Sequence, residues 1–521
     1  MGRQIQIAST KADEKLLLNF LRGAANIRIF ESFANSPEEL WDMSINSDLQ
    51  LTREEMRRIG YRIVDQIVEH FETLASKPVM RVSPRVELEA RLREPLPEEP
   101  APVDSLLEQL QRDVWSNIGN VQHPRFFAFI PSPSNFVSVM ADALAAGFNP
   151  FAGNWLEGSG TTQIELVTID WLREMCGLPE TAGGLFVSGG SMANLTALAT
   201  ARRARLDDRS ENAVIYFSDQ THYSIEKAVR VLGFAHEQIR VLPSDEIFRL
   251  RTESLRRAVA EDRADGKQPF CVIANAGTTN TGAVDPLDEL ADLCERENLW
   301  LHVDGAYGAA AALCERGRKL LAGIERADSL SLDPHKWLFQ PFEIGCVLLR
   351  DARILKKTFR AMDGILEDTR RAEEEEINYY DYGVQLTRGF RALKLWLSFK
   401  TFGAAAFREA INRGFEMAEF AEGVLRQSDR WRICAPATMG IVTFRYAAEG
   451  CSEDEINEIH RRMVEMMSED GFAFANSTAL RGQTVMRLCT INPRATEEDV
   501  RATINQLEQF GRELQDRIKN R

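Results

Sequence analysis

Cysteine motifs and long apolar runs are missing from this sequence of 521 residues. Its eight cysteines are scattered and form no C-x-x-C pair, so we expect neither a disulfide framework nor a metal site, and reduced thiols fit a cytoplasmic protein. No apolar run approaches the ~18 residues that a membrane span requires. The N-terminus contains no continuous apolar segment typical of a secretory signal. These absences predict a soluble, cytoplasmic chain with no membrane partner.

The chain is also short of positive charge. Its 63 Lys and Arg residues face 78 Asp and Glu residues, so the formal net charge is −15. A surface of this sign repels nucleic acid, and we predict no nucleic-acid partner. With 44% hydrophobic and 27% charged residues the composition is that of a globular protein, and the length allows about two to four domains.

The first 120 residues are predicted to be helical or extended. Residues 1–48 form an N-terminal extension with one helix near residues 14–33. Residues 49–120 form a helical arm with one helix over 52–76, where Thr52 and Glu55 are spaced as a capping box, and a second over 103–118. A proline-rich stretch separates these two helices.

Short apolar strands alternate with helices between residues 121 and 402. The predicted strands cover residues 184–187, 213–218, 270–276, 299–304, 329–332 and 345–350. The helices between them cover residues 191–205, 224–232, 252–265 and 287–298. This alternation predicts an α/β fold in which a mostly parallel sheet has helices on both faces. After a long helix over 385–402, helices near 404–428 and 452–470 and strands near 440–446 and 484–490 predict a small α+β domain over 403–521.

Two motifs at predicted strand ends carry features of a ligand site. Residues 188–191 (SGGS) stand between a strand and a helix, where glycines let the backbone approach an anion and the helix N-terminus supplies free N–H groups. On its own this motif fits a phosphate cradle and a plain turn equally well. Asp304 ends an apolar strand, where an acid is either a cap or ion-pair partner, or a carboxylate aimed at a protonated ring nitrogen.

Two further motifs supply an amine and an imidazole. Lys336 lies in residues 333–337 (DPHKW), and a lysine with apolar neighbours is a good amine nucleophile, although most lysines are simply exposed. His222 follows the strand over 213–218, where a histidine is either structural or placed to stack on a flat ring. A phosphate cradle, an acid for a ring nitrogen, a stacking imidazole and a reactive lysine are together the parts of a pyridoxal 5′-phosphate (PLP) site.

The order and spacing of these motifs resemble those of a known family. With residues 302–308 (HVDGAYG) upstream of residues 334–337 (PHKW), the chain is similar to the group II PLP-dependent amino-acid decarboxylases of fold-type I, and most like the aromatic-L-amino-acid decarboxylases. The resemblance covers roughly residues 50–515. It implies an enzyme with a large PLP-binding domain over 121–402, the small C-terminal domain and a helical dimerisation arm. It also implies a homodimer with shared active sites.

The resemblance assigns roles to individual cofactor residues. It implies that Lys336 forms a Schiff base with the cofactor, that Asp304 keeps the ring nitrogen protonated, and that His222 stacks on the ring. The other cofactor contacts that it implies are Gly190 and Ser191 at the phosphate, Thr279 beside His222, His335 next to the lysine, and Phe342 reaching the phosphate of the other subunit.

The resemblance also implies the product. Loss of CO2 leaves a quinonoid carbanion, and a tyrosine on a mobile loop, here residues 362–382, returns a proton to form the amine. Tyr379 matches that tyrosine, with Tyr380 as the alternative. Because relatives with Phe at this position tend to give aldehydes, we expect the amine, and a decarboxylation-dependent aldehyde synthase is the alternative.

The resemblance implies a substrate pocket made of Phe129, Pro131 and Ser132 of one chain, Phe151 and Gly153 of its partner, and Thr387. Gly153 and Val121 replace aromatic side chains and should enlarge the pocket, whereas Thr387 offers a hydroxyl to a phenol and a methyl group that crowds an indole. We expect an aromatic substrate (tyrosine, DOPA, tryptophan or phenylalanine), with a large aliphatic one (valine, leucine or methionine) as the alternative. Acidic substrates are disfavoured, since Arg125 is the one candidate arginine for them.

Two rival functions remain open. A fold-type I aminotransferase would hold the substrate carboxylate with an arginine such as Arg487, and it would need a keto-acid acceptor. A scaffold that has kept the fold would bind no cofactor.

Overall fold

A computed structural model describes residues 49–207, 209–360 and 376–520. The helix predicted near residues 14–33 and most of the loop predicted over 362–382 lie outside the described residues. The chain divides into two compact units, residues 1–72 and residues 73–521. The first unit contains all of helix α1 (Arg53–Thr73) except its last residue. The predicted capping box is present, because the backbone N–H groups of Thr52 and Glu55 each donate to the other residue's side chain, at 3.0 and 3.3 Å.

A seven-stranded sheet forms the centre of the second unit. Its strands are β1 (Gly183–Val187), β2 (Ala213–Ser218), β3 (Ile239–Leu242), β4 (Gln268–Asn275), β5 (Trp300–Asp304), β6 (Ser329–Leu332) and β7 (Gly345–Leu349). They lie in the order β1-β7-β6-β5-β4-β2-β3. β7 pairs antiparallel with β1 and β6, and the other pairs are parallel, which confirms the predicted mostly parallel sheet.

Helices connect these strands and precede them. They are α2 (Arg85–Leu92), α3 (Val103–Gln109), α4 (Phe136–Phe148), α5 (Trp155–Met175), α6 (Gly190–Leu206), α7 (Tyr223–Val231), α8 (Thr252–Ala264), α9 (Leu287–Arg296), α10 (Glu315–Leu320) and α11 (Arg353–Phe359). In β4, Val272 and Ala274 belong to an apolar core shared with α5, α8 and α9. Cys271 and Ile273 belong to a second core shared with α6, α7 and α11. The sheet therefore has helices on both faces, and its strands read as nearly continuous apolar runs because both faces are buried.

A second sheet lies in the C-terminal part of the chain. Its four strands, β8 (Trp431–Thr438), β9 (Ile441–Tyr446), β10 (Asn476–Leu480) and β11 (Gln483–Cys489), are all antiparallel, in the order β10-β11-β9-β8. The helices of this part are α12 (Ala392–Leu425), α13 (Glu453–Asp470) and α14 (Glu497–Lys519). The predicted α+β character is confirmed. Both sheets lie in the unit over 73–521, so the boundaries predicted at 120/121 and 402/403 stay a prediction.

Several predicted helix boundaries are wrong. The helix predicted over 103–118 ends at Gln109 and continues as a π-turn (Leu110–Val114) and a 3-10 turn (Trp115–Asn117). The helices predicted over 385–402 and 404–428 are separated at Gly403 as expected, since φ is +74° there and interrupts α12, but α12 starts at Ala392 rather than 385 and ends at Leu425 rather than 428. The sequence reading also missed α4, α5 and α14, although Thr496 and Asp499 form a capping box before α14. Among the helices of the described ranges, none combines the length and the apolar composition needed to cross a membrane.

Candidate active site

A cavity of about 750 Å³ opens at the carboxyl ends of the central strands. Residues that end or follow β1, β2, β4, β5 and β6 line it, namely Ser188, His222, Asn275, Asp304 and Asp333. Open α/β sheets bind ligands at this edge. The residues predicted to contact the cofactor all line this one cavity: Gly190, Ser191, His222, Thr279, Asp304, His335, Lys336 and Phe342.

The turn from β1 into α6 has the shape of an anion site. A Cβ atom on Gly190 would lie 2.8 Å from Asp333 Oδ2 and 3.1 Å from Ala306 Cβ, so this position requires glycine. The first backbone N–H groups of α6, those of Gly190 and Ser191 among them, have no acceptor within the helix and carry its partial positive charge. The geometry favours the phosphate cradle over the plain turn, and the contact itself stays a prediction.

The Asp304 carboxylate is held in place at the end of β5. Its Oδ1 accepts from Ser331 Oγ at 3.2 Å and from the Ala306 N–H at 3.1 Å, and its Oδ2 accepts from Asn194 Nδ2 at 3.0 Å. Asp304 is only 7% exposed, and these three donors are neutral. Its negative charge therefore suits a cationic partner such as a protonated ring nitrogen.

Lys336 lies in a polar setting rather than the apolar one that its neighbours in the sequence suggested. Its Nζ is 2.9 Å from Asp333 Oδ2, while Asp333 Oδ1 has no hydrogen-bond partner among the described residues. His335 Nδ1 lies 2.7 Å from the Ile344 carbonyl, and burial lowers the pKa of His335. The Ser132 hydroxyl donates to the His335 carbonyl, so Ser132 supports the lysine segment from behind and does not line the cavity.

His222 caps the start of α7 and is held by one neighbour. The Ser224 N–H donates to His222 Nδ1 at 3.3 Å, and Ser224 Oγ lies 2.8 Å from the same nitrogen. Burial lowers the pKa of His222, which favours a neutral ring. Thr279 also lines the cavity, but within the described chain no hydrogen bond joins it to His222.

Two phenylalanines form the rim of the cavity. Phe342 is 62% exposed, with its ring centroid 5.1 Å from that of His335, so it borders the cavity of its own chain. Phe129 has a left-handed backbone, with φ of +50°, which is uncommon for a bulky residue. Its N–H donates to Asn476 Oδ1 at 2.8 Å, and its carbonyl accepts from Arg487 Nη1 at 2.7 Å. These two bonds from the C-terminal sheet position the Phe129 ring at the cavity. Pro131 is buried and does not line it.

Residues 86–447 match the family model of the pyridoxal-dependent decarboxylase conserved domain. The chain belongs to the pyridoxal-dependent decarboxylase family. It is 52% identical over 457 residues to an aromatic-L-amino-acid decarboxylase of Bacillus atrophaeus, covering 88% of this chain and 95% of that protein. It is 31% identical over 462 residues to a phenylacetaldehyde synthase of Petunia hybrida, covering 85% and 91%. The crystal structure of Oryza sativa TDC with PLP and tryptamine matches with a TM-score of 0.86 at 29% identity, covering 90% of this chain and 100% of that one.

Membership of the pyridoxal-dependent decarboxylases makes the chain an enzyme that uses PLP, and its cavity fits that group. The turn at Gly190 brings the free N–H groups at the start of α6 to the cavity, where they could hold a phosphate. Asp304 presents a buried carboxylate without a cation among its three donors, and the Lys336 amine lies in the same cavity. The individual roles of these residues stay predictions.

A second group of predicted residues lies outside the cavity in this decarboxylase chain. Phe151, Gly153, Tyr379 and Thr387 do not line it. They belong instead to two segments, residues 151–155 and 378–388, which we call the Tyr379 cluster. The Tyr380 N–H donates to the Gly153 carbonyl at 2.9 Å, and the Trp155 N–H donates to Asn378 Oδ1 at 3.0 Å, so the two segments are bonded to each other.

Arg388 anchors the Tyr379 cluster to the central sheet. Its side chain and that of Glu165 are each 1% exposed and form an ion pair at 2.5 Å. The guanidinium also donates to the carbonyls of Ala152, at 3.0 Å, and Phe186, at 2.8 Å. It lies 4.7 Å from the centroid of the buried Tyr379 ring. This anchor holds the chain before α12 out of a helix, and the sequence reading missed it because its partners are distant in the chain.

The space expected beside Gly153 is filled. A Cβ atom on Gly153 would overlap the Phe151 ring and lie 2.8 Å from the Leu386 carbonyl. Val121 packs against the C-terminal apolar core, not at the cavity. Neither residue lines the cavity of its own chain, and their effect on a pocket shared with a partner stays a prediction.

The arginines considered for substrate binding are engaged elsewhere. Arg125 donates to the Phe472 carbonyl at 2.7 Å and pairs with Asp499 at 3.3 Å, outside the cavity. Arg487 is fully buried, and its Nε and Nη2 have no hydrogen-bond partner among the described residues. Neither guanidinium lines the cavity, which is consistent with the expectation that acidic substrates are disfavoured.

The residues that the sequence reading missed are those that hold the predicted ones. Asn194 lines the cavity and contacts Asp304, and Asp333 contacts Lys336. Asn194 follows Gly190 by four positions on α6, so helical periodicity alone places both on one face. That spacing was the available signal.

Proposed function

We propose that this decarboxylase converts an aromatic L-amino acid to its amine and CO2, with PLP held in the strand-end cavity. The observation that carries the proposal is the presence of the Gly190 turn, the Asp304 carboxylate and the Lys336 amine in one cavity. The preference for aromatic substrates draws support from the relative that is 52% identical, an aromatic-L-amino-acid decarboxylase.

Each cavity residue has a chemical task in this proposal. Lys336 would hold the cofactor covalently, and the N–H groups of Gly190 and Ser191 would bind its phosphate. When bound, PLP supplies an electron sink for the carbanion that decarboxylation leaves. The Asp304 carboxylate would keep a proton on the ring nitrogen, and the neutral His222 ring would cover one face and exclude water from it.

The proposal includes a homodimer in which the Tyr379 cluster completes the partner's site. Tyr379, whose hydroxyl is buried within this chain, would have to be uncovered there to donate a proton to the substrate Cα. Exposed apolar side chains in and next to this cluster support it: Phe148 at 82%, Leu156 at 67%, Val384 at 65% and Leu386 at 56% exposure. Apolar side chains gathered on one surface are typical of a subunit interface. The predicted arm supports it too, since none of the twenty-one residues of α1 is buried.

Shared sites can be tested by mixing two inactive chains. Lys336→Ala and Tyr379→Phe chains, unfolded together and refolded, should regain about a quarter of wild-type amine formation, because half of the dimers would be hybrids with one intact site. Each variant refolded alone is the control. No regain, although hybrids form by differential tagging, would contradict shared sites.

The activity itself is tested by an amino-acid panel. CO2, amine and peroxide are measured for aromatic, aliphatic and acidic amino acids without a keto acid. We expect amine and CO2 from tyrosine, DOPA, tryptophan or phenylalanine. A preference for valine, leucine or methionine would select the aliphatic alternative, and a strict need for a keto acid would select an aminotransferase.

An aldehyde synthase is the second candidate. The 31% identity to a phenylacetaldehyde synthase favours it, whereas a hydroxyl at Tyr379 favours the amine. Equal yields of peroxide and CO2 in the panel would select this candidate.

We also propose that the enzyme works in the cytoplasm. Its eight cysteines are all free thiols, and six of them are buried, as suits a reducing compartment. Fractionation of the source cells, with activity followed in each fraction, tests this location.

A further inference from the structure

The Asn194 side chain lies at the centre of a buried hydrogen-bond network under the cavity. Its Nδ2 lies 3.0 Å from Asp304 Oδ2 and 3.1 Å from Ser224 Oγ, and its Oδ1 lies 3.0 Å from His302 Nε2. An ionised carboxylate can only accept, so Asp304 requires the NH2 group on its side and fixes the orientation of the amide. The two N–H bonds of Asn194 are then used by Asp304 and Ser224.

The donors and acceptors can also be assigned in the hydrogen bonds of His302. Because Asn194 Oδ1 can only accept, His302 Nε2 carries a proton and donates it. His302 Nδ1 lies 2.9 Å from Ser329 Oγ, which accepts from Trp300 Nε1 at 2.8 Å. An indole only donates, so the Ser329 hydroxyl is left to donate to His302. Burial lowers the pKa of His302, in keeping with a neutral ring.

The other branch leads to His222. Ser224 Oγ accepts from Asn194, so its own proton points to His222 Nδ1 at 2.8 Å. The Ser224 backbone N–H donates to the same nitrogen at 3.3 Å. Nδ1 of His222 therefore receives two donors, which leaves the ring neutral with its proton on Nε2.

We propose that Asn194 is a positioning residue that couples Asp304 to His222: by donating to both Asp304 and Ser224, it fixes His222 as the neutral tautomer protonated on Nε2. The proposal rests on the proposed cofactor roles of Asp304 and His222. It adds Asn194, on α6, as the residue that connects the Asp304 carboxylate to the neutral His222 ring through hydrogen bonds.

The charges around His222 do not determine which of its two nitrogens carries the proton in the neutral ring. Asp304 and Asp333 act to raise the pKa of His222, whereas Lys336 and Lys227 act to lower it, along with burial. These influences set how readily the ring is protonated. The tautomer depends on the donors at Nδ1, which come from Ser224 alone in the described chain.

The sharpest variant is Asn194→Asp, which keeps the shape and changes the hydrogen count. Ionised or protonated, an aspartate has at most one proton, so it cannot donate to both Asp304 and Ser224. The Ser224 hydroxyl then turns toward position 194 and becomes an acceptor for a proton on His222 Nδ1. We expect the proton affinity of His222 to rise about tenfold or more.

The readout is the protonation of single histidines in the full chain with its cofactor, followed by ¹⁵N NMR across pH. The seven histidines are labelled selectively, and His222→Gln and His302→Gln samples assign the two signals. In the wild type, Nδ1 should be unprotonated in both rings. In a Ser224→Ala background, Asn194→Asp should no longer change His222, because the connection through the hydroxyl is gone.

Thr200→Val is the matched control, since Thr200 lies on the same helix, is fully buried, and bonds only the Thr196 carbonyl. It should leave both histidine signals in place. A wild-type His222 protonated on Nδ1, or an unchanged His222 pKa in Asn194→Asp, would overturn the proposal. The wild-type tautomer decides the matter even where a variant does not fold. The NMR measurement needs no turnover. A negative amino-acid panel would therefore not contradict the tautomer assignment, and a contradicted tautomer assignment would not affect the panel result.

Discussion

The cavity residues and the Tyr379 cluster are held in different ways. Asp304 ends β5, Lys336 follows β6, and Asn194 lies on α6. Asn194 donates to Asp304 at 3.0 Å, and Lys336 lies 2.9 Å from Asp333. The two segments of the Tyr379 cluster are bonded to each other, Arg388 and the packing of the Tyr379 ring tie them to the sheet, and they do not line the cavity. The residues predicted to contact the cofactor are therefore assembled within one chain, whereas most of those predicted for substrate binding and protonation are not.

This contrast marks the part of the predicted site that the proposed second copy of the chain would complete. Parallel strands bring their carboxyl ends together whatever the sequence of the loops, so the cofactor residues meet as soon as the sheet forms. The residues predicted for substrate binding and protonation have no such common edge. Changes in the two regions should accordingly have separable effects.

Removal of the lysine should have the largest effect and should be confined to the cavity. Lys336→Ala should reduce CO2 release at least about 10³-fold and abolish the cofactor absorbance near ~420 nm, because the covalent attachment is lost. Lys319→Ala, on an exposed lysine paired with Glu315, is the control and should resemble the wild type. Retention of the absorbance would assign the attachment to another amine.

Removal of the arginine should weaken the Tyr379 cluster and leave the cavity able to bind PLP. Arg388→Met leaves the Glu165 carboxylate buried and unpaired, so the free energy of unfolding should fall by about 3–5 kcal/mol, measured by urea denaturation. The double variant Glu165→Leu/Arg388→Met removes both charges and should recover much of that loss. If the double variant were no more stable than the single one, the unpaired carboxylate would not be the cause.

Loss of one hydroxyl should separate proton delivery from cofactor binding. Tyr379→Phe should slow amine formation by about 10²-fold and raise aldehyde and peroxide, while the cofactor absorbance stays unchanged. The ring should keep its packing, since the Tyr379 hydroxyl has no hydrogen-bond partner among the described residues. Tyr380→Phe is the comparison variant. An unchanged amine rate in Tyr379→Phe would move the role to Tyr380 or to His222.

A smaller effect of pH should arise away from both regions, in the C-terminal core. Burial lowers the pKa of His460 to about 4, below the ordinary value of 6.5. Between these values the unfolded chain binds the proton and the folded chain does not, so stability falls as the pH falls. From pH 7 to pH 5 the loss is about 2 kcal/mol for this group. Urea midpoints across this range should change less steeply in His460→Gln, and an equal slope would refute the assignment.

The sequence allowed prediction of those parts that depend on local pattern. Asp304 and Lys336 follow short apolar runs that predict strands. Because the carboxyl ends of parallel strands lie at one edge of the sheet, both residues are expected at that edge. Asn194 and Arg388 escaped notice because their importance comes from partners more than a hundred residues away. The Phe151 ring beside Gly153 could not be foreseen for the same reason, since its place depends on the path of the backbone there.

If Phe151 and Gly153 complete the partner's pocket as proposed, their contact bears on how this enzyme can change its substrate. A side chain at position 153 and the ring of Phe151 in its present place exclude one another, because both would occupy one volume. A single substitution at 153 therefore meets a steric barrier from the Phe151 ring, which a smaller residue at 151 removes, and from the Leu386 carbonyl, which remains. Libraries that vary one position at a time would discard such solutions, and the two positions should be randomised as a pair.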